Sequence, residues 1–112
     1  MGTFSVRNIV FVSFPFSDLT DTKLRPALVL ANAQKNDWIL CQITSKSYAD
    51  PKAIEINNDN FEIGQLNITS FVRPTKIFTA NEQLIKKVVG TLNIETHQHI
   101  IQTLKTILEN GQ

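Results

Sequence analysis

The sequence lacks the features that mark membrane, secreted and disordered proteins. Its 112 residues contain one cysteine, which rules out a disulfide framework within the chain. No apolar run approaches the roughly 20 residues that cross a bilayer, and no charged segment followed by an apolar one stands at the N-terminus. Low-complexity tracts are also missing, and the 42% hydrophobic content is that of a globular protein. These absences predict one cytoplasmic domain over residues 1–112.

The net charge is small, but the charged residues are unevenly distributed along the chain. A net charge of +1 points by itself to no polyanionic partner. However, residues 22–36 carry three cations and no acid, and residues 63–81 carry two cations and no acid. Six of the acids lie elsewhere, at Asp50, Glu55, Asp59, Glu62, Glu82 and Glu95. Both a basic patch set apart from an acidic side and an evenly mixed surface remain open on this evidence.

Short runs rich in β-branched and aromatic residues predict a series of strands. Cys41 lies inside one such run, WILCQI, and we expect it to be a small core residue rather than a reactive thiol. Pro74 is expected to separate the last two strands, because proline cannot donate to a sheet ladder. The predicted strands are 8–14, 27–31, 38–44, 53–56, 66–73 and 75–79.

Two helices are predicted after the strands. Residues 81–90 are typical of a short helix capped by Asn81 and ended by Gly90. Residues 94–109 carry an apolar stripe at helical spacing behind the cap Asn93. Strands followed by helices predict an α+β domain, a small curled sheet or partial barrel with the terminal helix packed against it.

Three blocks of sequence carry a family resemblance. NIVFVSFPFSDLTDTKLRPALVL, WILCQITSK, and SFVRPTKIFT followed by IKKVVGTL resemble the MazF/PemK-like toxins of type II toxin–antitoxin pairs, in the same order and spacing. The resemblance implies a small SH3-like curled β-barrel of about five to seven mostly antiparallel strands with a C-terminal helix. It also implies a homodimer that cuts single-stranded RNA at short sequences without a metal or other cofactor. An acidic, partly disordered antitoxin is the implied protein partner.

The resemblance assigns roles to individual residues. Arg25 and Thr44 match the positions central to cleavage, where an arginine fork can bind two phosphate oxygens and a hydroxyl can donate to a third. Pro26 favours an extended Arg25, held where an apolar strand begins. The residues expected to contact RNA are Lys23, Ser45, Ser70 and Arg73.

One departure from the family pattern leaves the reaction open. Ser70 stands where several relatives carry an acid assigned to proton transfer, so the general base is not identified. His97 and His99 do not replace it, because residues two apart on a helix point roughly 200° apart. Two alternatives therefore remain: a protein-directed toxin of the gyrase-poison type, or an inactive relative that still binds an antitoxin.

Overall fold

The computed structural model describes residues 4–15, 22–48 and 50–111. Single 3-10 turns at Asn58–Asn60 and Glu82–Leu84 interrupt otherwise extended chain. No helix among the described residues is long and apolar enough to cross a membrane. The regular elements in these ranges are β1 (Asn8–Pro15), β2 (Thr22–Gln34), β3 (Asp37–Thr44), β4 (Ile54–Ile56), β5 (Phe61–Gly64), β6 (Ser70–Asn81), β7 (Ile85–Leu92) and α1 (Ile94–Asn110).

The seven strands form one curled antiparallel sheet in the order β4-β6-β3-β2-β1-β7-β5. The sheet buries side chains on both faces, because curling brings its two ends around the central strands. One core contains Ile9, Leu28 and Cys41 and is covered by α1, while the other contains Val10, Val29 and Trp38. The predicted α+β curled barrel and the buried Cys41 are confirmed.

The terminal helix is confirmed almost to the residue. The Asn93 side chain accepts a hydrogen bond from the Thr96 amide, and Gly111 ends the helix with a left-handed φ of 75°. The Ile100 side chain, on α1, is fully buried in the core that this helix covers. Leu108, which we placed on the apolar stripe, is 71% exposed, because burial in α1 is confined to its first two turns.

The predicted short helix at 81–90 is wrong. Asn81 does cap a turn, accepting from the Gln83 amide, but that turn ends at Leu84 and the chain continues as β7. The sequence of β7, IKKVVGTL, contains four β-branched residues, whose stiff side chains suit a strand. Hydrogen bonding to β1 on one side and β5 on the other fixes the extended form.

The boundaries predicted around Pro74 are also wrong. One strand, β6, runs from Ser70 to Asn81 and passes through Pro74. The register against β3 shifts at this point, since Ile43 pairs with Val72 but Cys41 pairs with Ile77. Pro74 therefore lies in a bulge, where no ladder hydrogen bond is required of it. Residues 66–69, predicted to be strand, leave the sheet, and Phe61–Gly64, predicted to be turn, pairs with β7.

Candidate active site

An open groove lies where β2 begins and β3 ends. Its volume is about 540 Å³, and residues 66–68, between β5 and β6, form the opposite wall. We call it the Arg25 groove. Five of the six predicted site residues line it. They are Lys23, Arg25, Thr44, Ser45 and Ser70.

Strand register sets Arg25 beside Thr44. Ala27 of β2 pairs with Gln42 of β3 in an antiparallel ladder. The ladder ends at this pair, and Arg25 and Thr44, each two residues beyond it, both line the groove. Arg25 lies within β2 rather than in the loop before it, so it is held extended, as its position before Pro26 predicts.

The Thr44 hydroxyl is oriented by a local turn. Its Oγ1 accepts a hydrogen bond of 3.1 Å from the Lys46 amide. A hydroxyl has one donor and two acceptor positions, so this bond leaves the Thr44 proton available to donate. The same turn brings Lys46 to the wall of the groove. The sequence reasoning missed Lys46, although a cation directly after the ITS block was the available signal.

Ser70 reaches the groove but is committed to the backbone. It is 2% exposed, and its Oγ donates to the Ile68 carbonyl at 2.9 Å. This bond fixes the turn of the groove wall as it enters β6. Because the only hydroxyl proton is used, Ser70 offers a substrate an acceptor rather than a donor.

Arg73 lies outside the Arg25 groove. Its Nη1 donates to Oε1 of Gln42 at 3.1 Å, and its Nε lies 3.7 Å from Oδ2 of Asp50. Asp50 also accepts from the Thr75 hydroxyl and from the Lys52 amide, and its side chain is 4% exposed. The contacts that the structure gives Arg73 brace β3, β6 and the chain at Asp50, so its role in binding RNA stays a prediction.

The described lining of the Arg25 groove carries positive charge. Lys23, Arg25 and Lys46 line it, and none of the described lining residues is acidic. The two acid-free stretches of the sequence meet here, since one supplies β2 and the other supplies residues 66–70. The distribution favours an anion held along the groove. In the described part of the chain, no three His, Cys, Asp or Glu side chains lie close enough together to hold a metal ion.

The two histidines lie away from this groove. His97 lies on the buried face of α1, and burial together with the neighbouring Arg7 lowers its pKa. Its Nδ1 makes no hydrogen bond to any described residue. His99 is exposed on the same helix. As predicted from their spacing, the two rings do not converge on one site.

The comparison that decides the family covers nearly the whole chain. Residues 6–108 match the model of the PemK-like, MazF-like toxins of type II toxin–antitoxin systems. The chain belongs to this family. The match confirms the resemblance found in the sequence. Arg25 and Thr44 of this MazF-like chain line one groove. No curated protein matches the sequence.

Solved structures of MazF-like proteins share the fold at low identity. A MazE–MazF structure from Deinococcus radiodurans superposes with a TM-score of 0.77 at 16% identity, covering 98% of this chain and 99% of that one. The Mycobacterium tuberculosis toxin MazF-mt6 gives 0.71 at 17%, with 92% and 97% covered. An endoribonuclease in complex with its cognate antitoxin, from a mycobacterial species, gives 0.73 at 15%, with 94% of each chain covered. At such identities the likeness shows the fold.

Proposed function

We propose that this MazF-like chain is a cytoplasmic toxin that cuts single-stranded RNA at short sequences. The single observation that supports the proposal is the Arg25 groove, where Arg25 and Thr44 adjoin in a cavity with three cations and no acid among its described lining residues. Single-stranded RNA presents one phosphate per nucleotide, and a cationic groove suits its backbone.

The proposed reaction needs no metal. The ribose 2′-oxygen attacks the adjacent phosphorus, the bond to the 5′-oxygen of the next nucleotide breaks, and a 2′,3′-cyclic phosphate remains. The proton of the 2′-hydroxyl leaves with the attack, and the departing 5′-oxygen takes up a proton. Negative charge grows on the non-bridging phosphoryl oxygens as the new bond forms.

Arg25 is proposed to stabilise that charge. Its guanidinium binds two oxygens through parallel N–H donors and stays charged at every working pH. Thr44, which lines the same groove, donates its available hydroxyl proton to the same phosphate. Ser45 and Lys23 add donors along the strand. Preorganised donors of this kind are worth about 10²- to 10³-fold each in rate.

The proposed catalysis is mainly electrostatic. No carboxylate or imidazole lines the Arg25 groove among the described residues, and the hydroxyl of Ser70 already donates to Ile68. We therefore assign the rate enhancement chiefly to Arg25.

The proposal also includes two protein partners, an antitoxin and a second copy of this chain. The mycobacterial structure is an endoribonuclease in complex with its cognate antitoxin, and the one from Deinococcus radiodurans is a MazE–MazF structure. We propose an acidic, partly disordered antitoxin whose carboxylates replace RNA phosphates at Arg25. We also propose a homodimer, which light scattering at micromolar concentration tests, since a monomer alone would contradict it.

The experiment is RNA cleavage in EDTA. Purified protein is incubated with a long unstructured RNA, and the cut ends are mapped and their chemistry determined. Discrete cuts with 2′,3′-cyclic phosphates, lost in Arg25→Ala and kept in Lys105→Ala, are expected. Lys105 is an exposed cation on α1 that is not part of the groove. Intact RNA together with growth arrest would instead indicate the protein-directed toxin, and intact RNA without arrest would indicate an inactive antitoxin-binding relative.

A further inference from the structure

The Arg25 groove continues into a second depression that no predicted site residue lines. This depression has a volume of about 390 Å³ and lies between the end of β5 and the middle of β7. We call it the Lys87 depression. Phe11, Leu66 and Asn67 line both cavities, so the two are adjacent, and we call the pair the trough.

A glycine positions the segment of residues 65–68 that lines the two cavities. Gly64 has a left-handed φ of +73°, and a Cβ there would lie 2.2 Å from the Val89 carbonyl oxygen. Only glycine allows β5 to end so close to β7 and to turn there. The turn sends residues 65–69 across the open side of the sheet. Within this segment the side chain of Leu66 is half-buried, while those of Gln65 and Asn67 are exposed.

The chemistry of the Lys87 depression suits one nucleotide. Lys87 provides an exposed cation, and none of the described lining residues is acidic. The side-chain amides of Gln65 and Asn67 make no hydrogen bond to any described residue. Each amide carries a donor and an acceptor in one plane, the arrangement that pairs with the edge of a base. Unstacked bases of single-stranded RNA expose those edges.

We propose that the Lys87 depression is a specificity subsite for the nucleotide next to the cut. This inference rests on the proposed function. A strand with its scissile phosphate at Arg25 passes Asn67 and enters the depression, where Lys87 binds the neighbouring phosphate. Asn67, which lines both cavities, reads the base edge together with Gln65. The trough thereby links the point of cleavage to the choice of sequence.

Binding tests the phosphate contact without requiring cleavage. The probe is an RNA oligonucleotide with 2′-deoxyribose at the cut position, titrated at several salt concentrations. For single strands each phosphate contact contributes about 0.7 to the slope of log K against log salt, so Lys87→Gln should lower the slope by roughly 0.7. Lys105→Gln, a matched change on α1, should leave it unchanged. Equal slopes for Lys87→Gln and wild type would overturn the phosphate contact.

Cleavage tests the base contact. The cut sites of wild type and Asn67→Ala are mapped on a randomised RNA pool. Loss of a paired amide should relax the preference at one nucleotide flanking the cut by roughly 5- to 100-fold. Gln98→Ala, which removes an exposed amide from α1, should keep the wild-type profile. An Asn67→Ala profile identical to wild type at every position would refute the subsite.

The two arms separate this inference from the proposed function. RNA that is cut by wild type with an unchanged Asn67→Ala profile refutes the subsite alone. RNA that is bound but never cut refutes the proposed function, and the Lys87→Gln slope then decides the subsite. Failure to bind RNA at all overturns both.

Discussion

Replacing Asp50 with asparagine is expected to destabilise the fold by about 1.5–3 kcal/mol, the contribution typical of hydrogen bonds to a charged group. Asp50 is nearly buried and accepts hydrogen bonds from the Thr75 hydroxyl and the Lys52 amide, with Arg73 3.7 Å away. Burial alone would raise the pKa of Asp50, but those two hydrogen bonds and the guanidinium lower it below its usual value. The anion is therefore the form that the folded protein stabilises.

The magnitude follows from what asparagine can replace. The amide keeps the shape of the side chain, but it can accept only through its oxygen, so one of the two bonded donors loses its acceptor. The Arg73 guanidinium, 18% exposed, also loses its anionic partner. Asp50→Ala removes both acceptors and should cost more, up to about 3–5 kcal/mol for a pair buried in this way.

The assay is urea unfolding followed by tryptophan fluorescence. A loss of 1.5–3 kcal/mol corresponds to a fall in Tm of roughly 6–12 °C for a domain of this size. Asp59→Asn, the same change at an exposed site, should stay within about 0.5 kcal/mol of wild type. If Asp50→Asn is as stable as Asp59→Asn, the reasoning is refuted.

The pH dependence gives a second reading of the same contact. Because the pKa of Asp50 is lower in the folded than in the unfolded chain, its stabilisation is complete above the unfolded pKa of about 3.9. It is lost as the pH falls through the folded pKa. The difference between wild type and Asp50→Asn should therefore be largest near neutrality and shrink below pH 4. A difference that does not change with pH would contradict the charge-based account.

Three further predictions concern the core, the turn and the buried histidine. Ile100→Ala should lower the free energy of unfolding in urea by about 2–5 kcal/mol, since the Ile100 side chain is fully buried. Leu108 is 71% exposed, so Leu108→Ala should lower it by less than about 0.5 kcal/mol. Equal losses for the two variants would contradict the packing of α1. Gly64→Ala should lower the free energy of unfolding by more than about 2 kcal/mol, because the alanine would combine a left-handed φ with a clash against the β7 backbone. A variant as stable as wild type would contradict the close approach of β5 to β7 at Gly64. Burial and a neighbouring arginine lower the pKa of His97 in the folded protein. Below about pH 6.5 the His97 imidazole therefore takes up a proton more readily in the unfolded chain than in the folded one. The free energy of unfolding should consequently fall from pH 7 to pH 5. His97→Gln should remove that fall and His99→Gln should keep it, and the opposite result would reassign the titrating group.

The sequence predicted best those features that depend on neighbours along the chain. The helix of residues 94–110 carries its own cap, stripe and terminal glycine, so local signals were sufficient. Strands β1 and β3 are rich in β-branched and aromatic residues and were also found. Arg25 and Thr44 were chosen by resemblance, and the register between β2 and β3 explains why they adjoin.

Features that depend on distant partners were missed. Residues 85–92 resemble a helix locally, with paired lysines behind a cap, and only pairing with β1 and β5 makes them a strand. Pro74 looked like a break because a bulge cannot be seen without the register of β3. For the same reason residues 66–69 were assigned to a strand, although their place outside the sheet makes them a wall of the groove. The contact between Arg73 and Asp50 joins residues 23 apart and left no local signal.

The most direct test of the account is the single-turnover rate of RNA cleavage by Arg25→Ala, Thr44→Val and the double variant. If both side chains act on one phosphate, Arg25→Ala should cut about 10²- to 10³-fold more slowly than wild type. The double variant should be far less impaired than the product of the two single effects, because groups that act as a unit are not additive. Lys105→Ala should match wild type. Cleavage by Arg25→Ala at the rate of Lys105→Ala would contradict the central claim that the Arg25 groove is where RNA is cut.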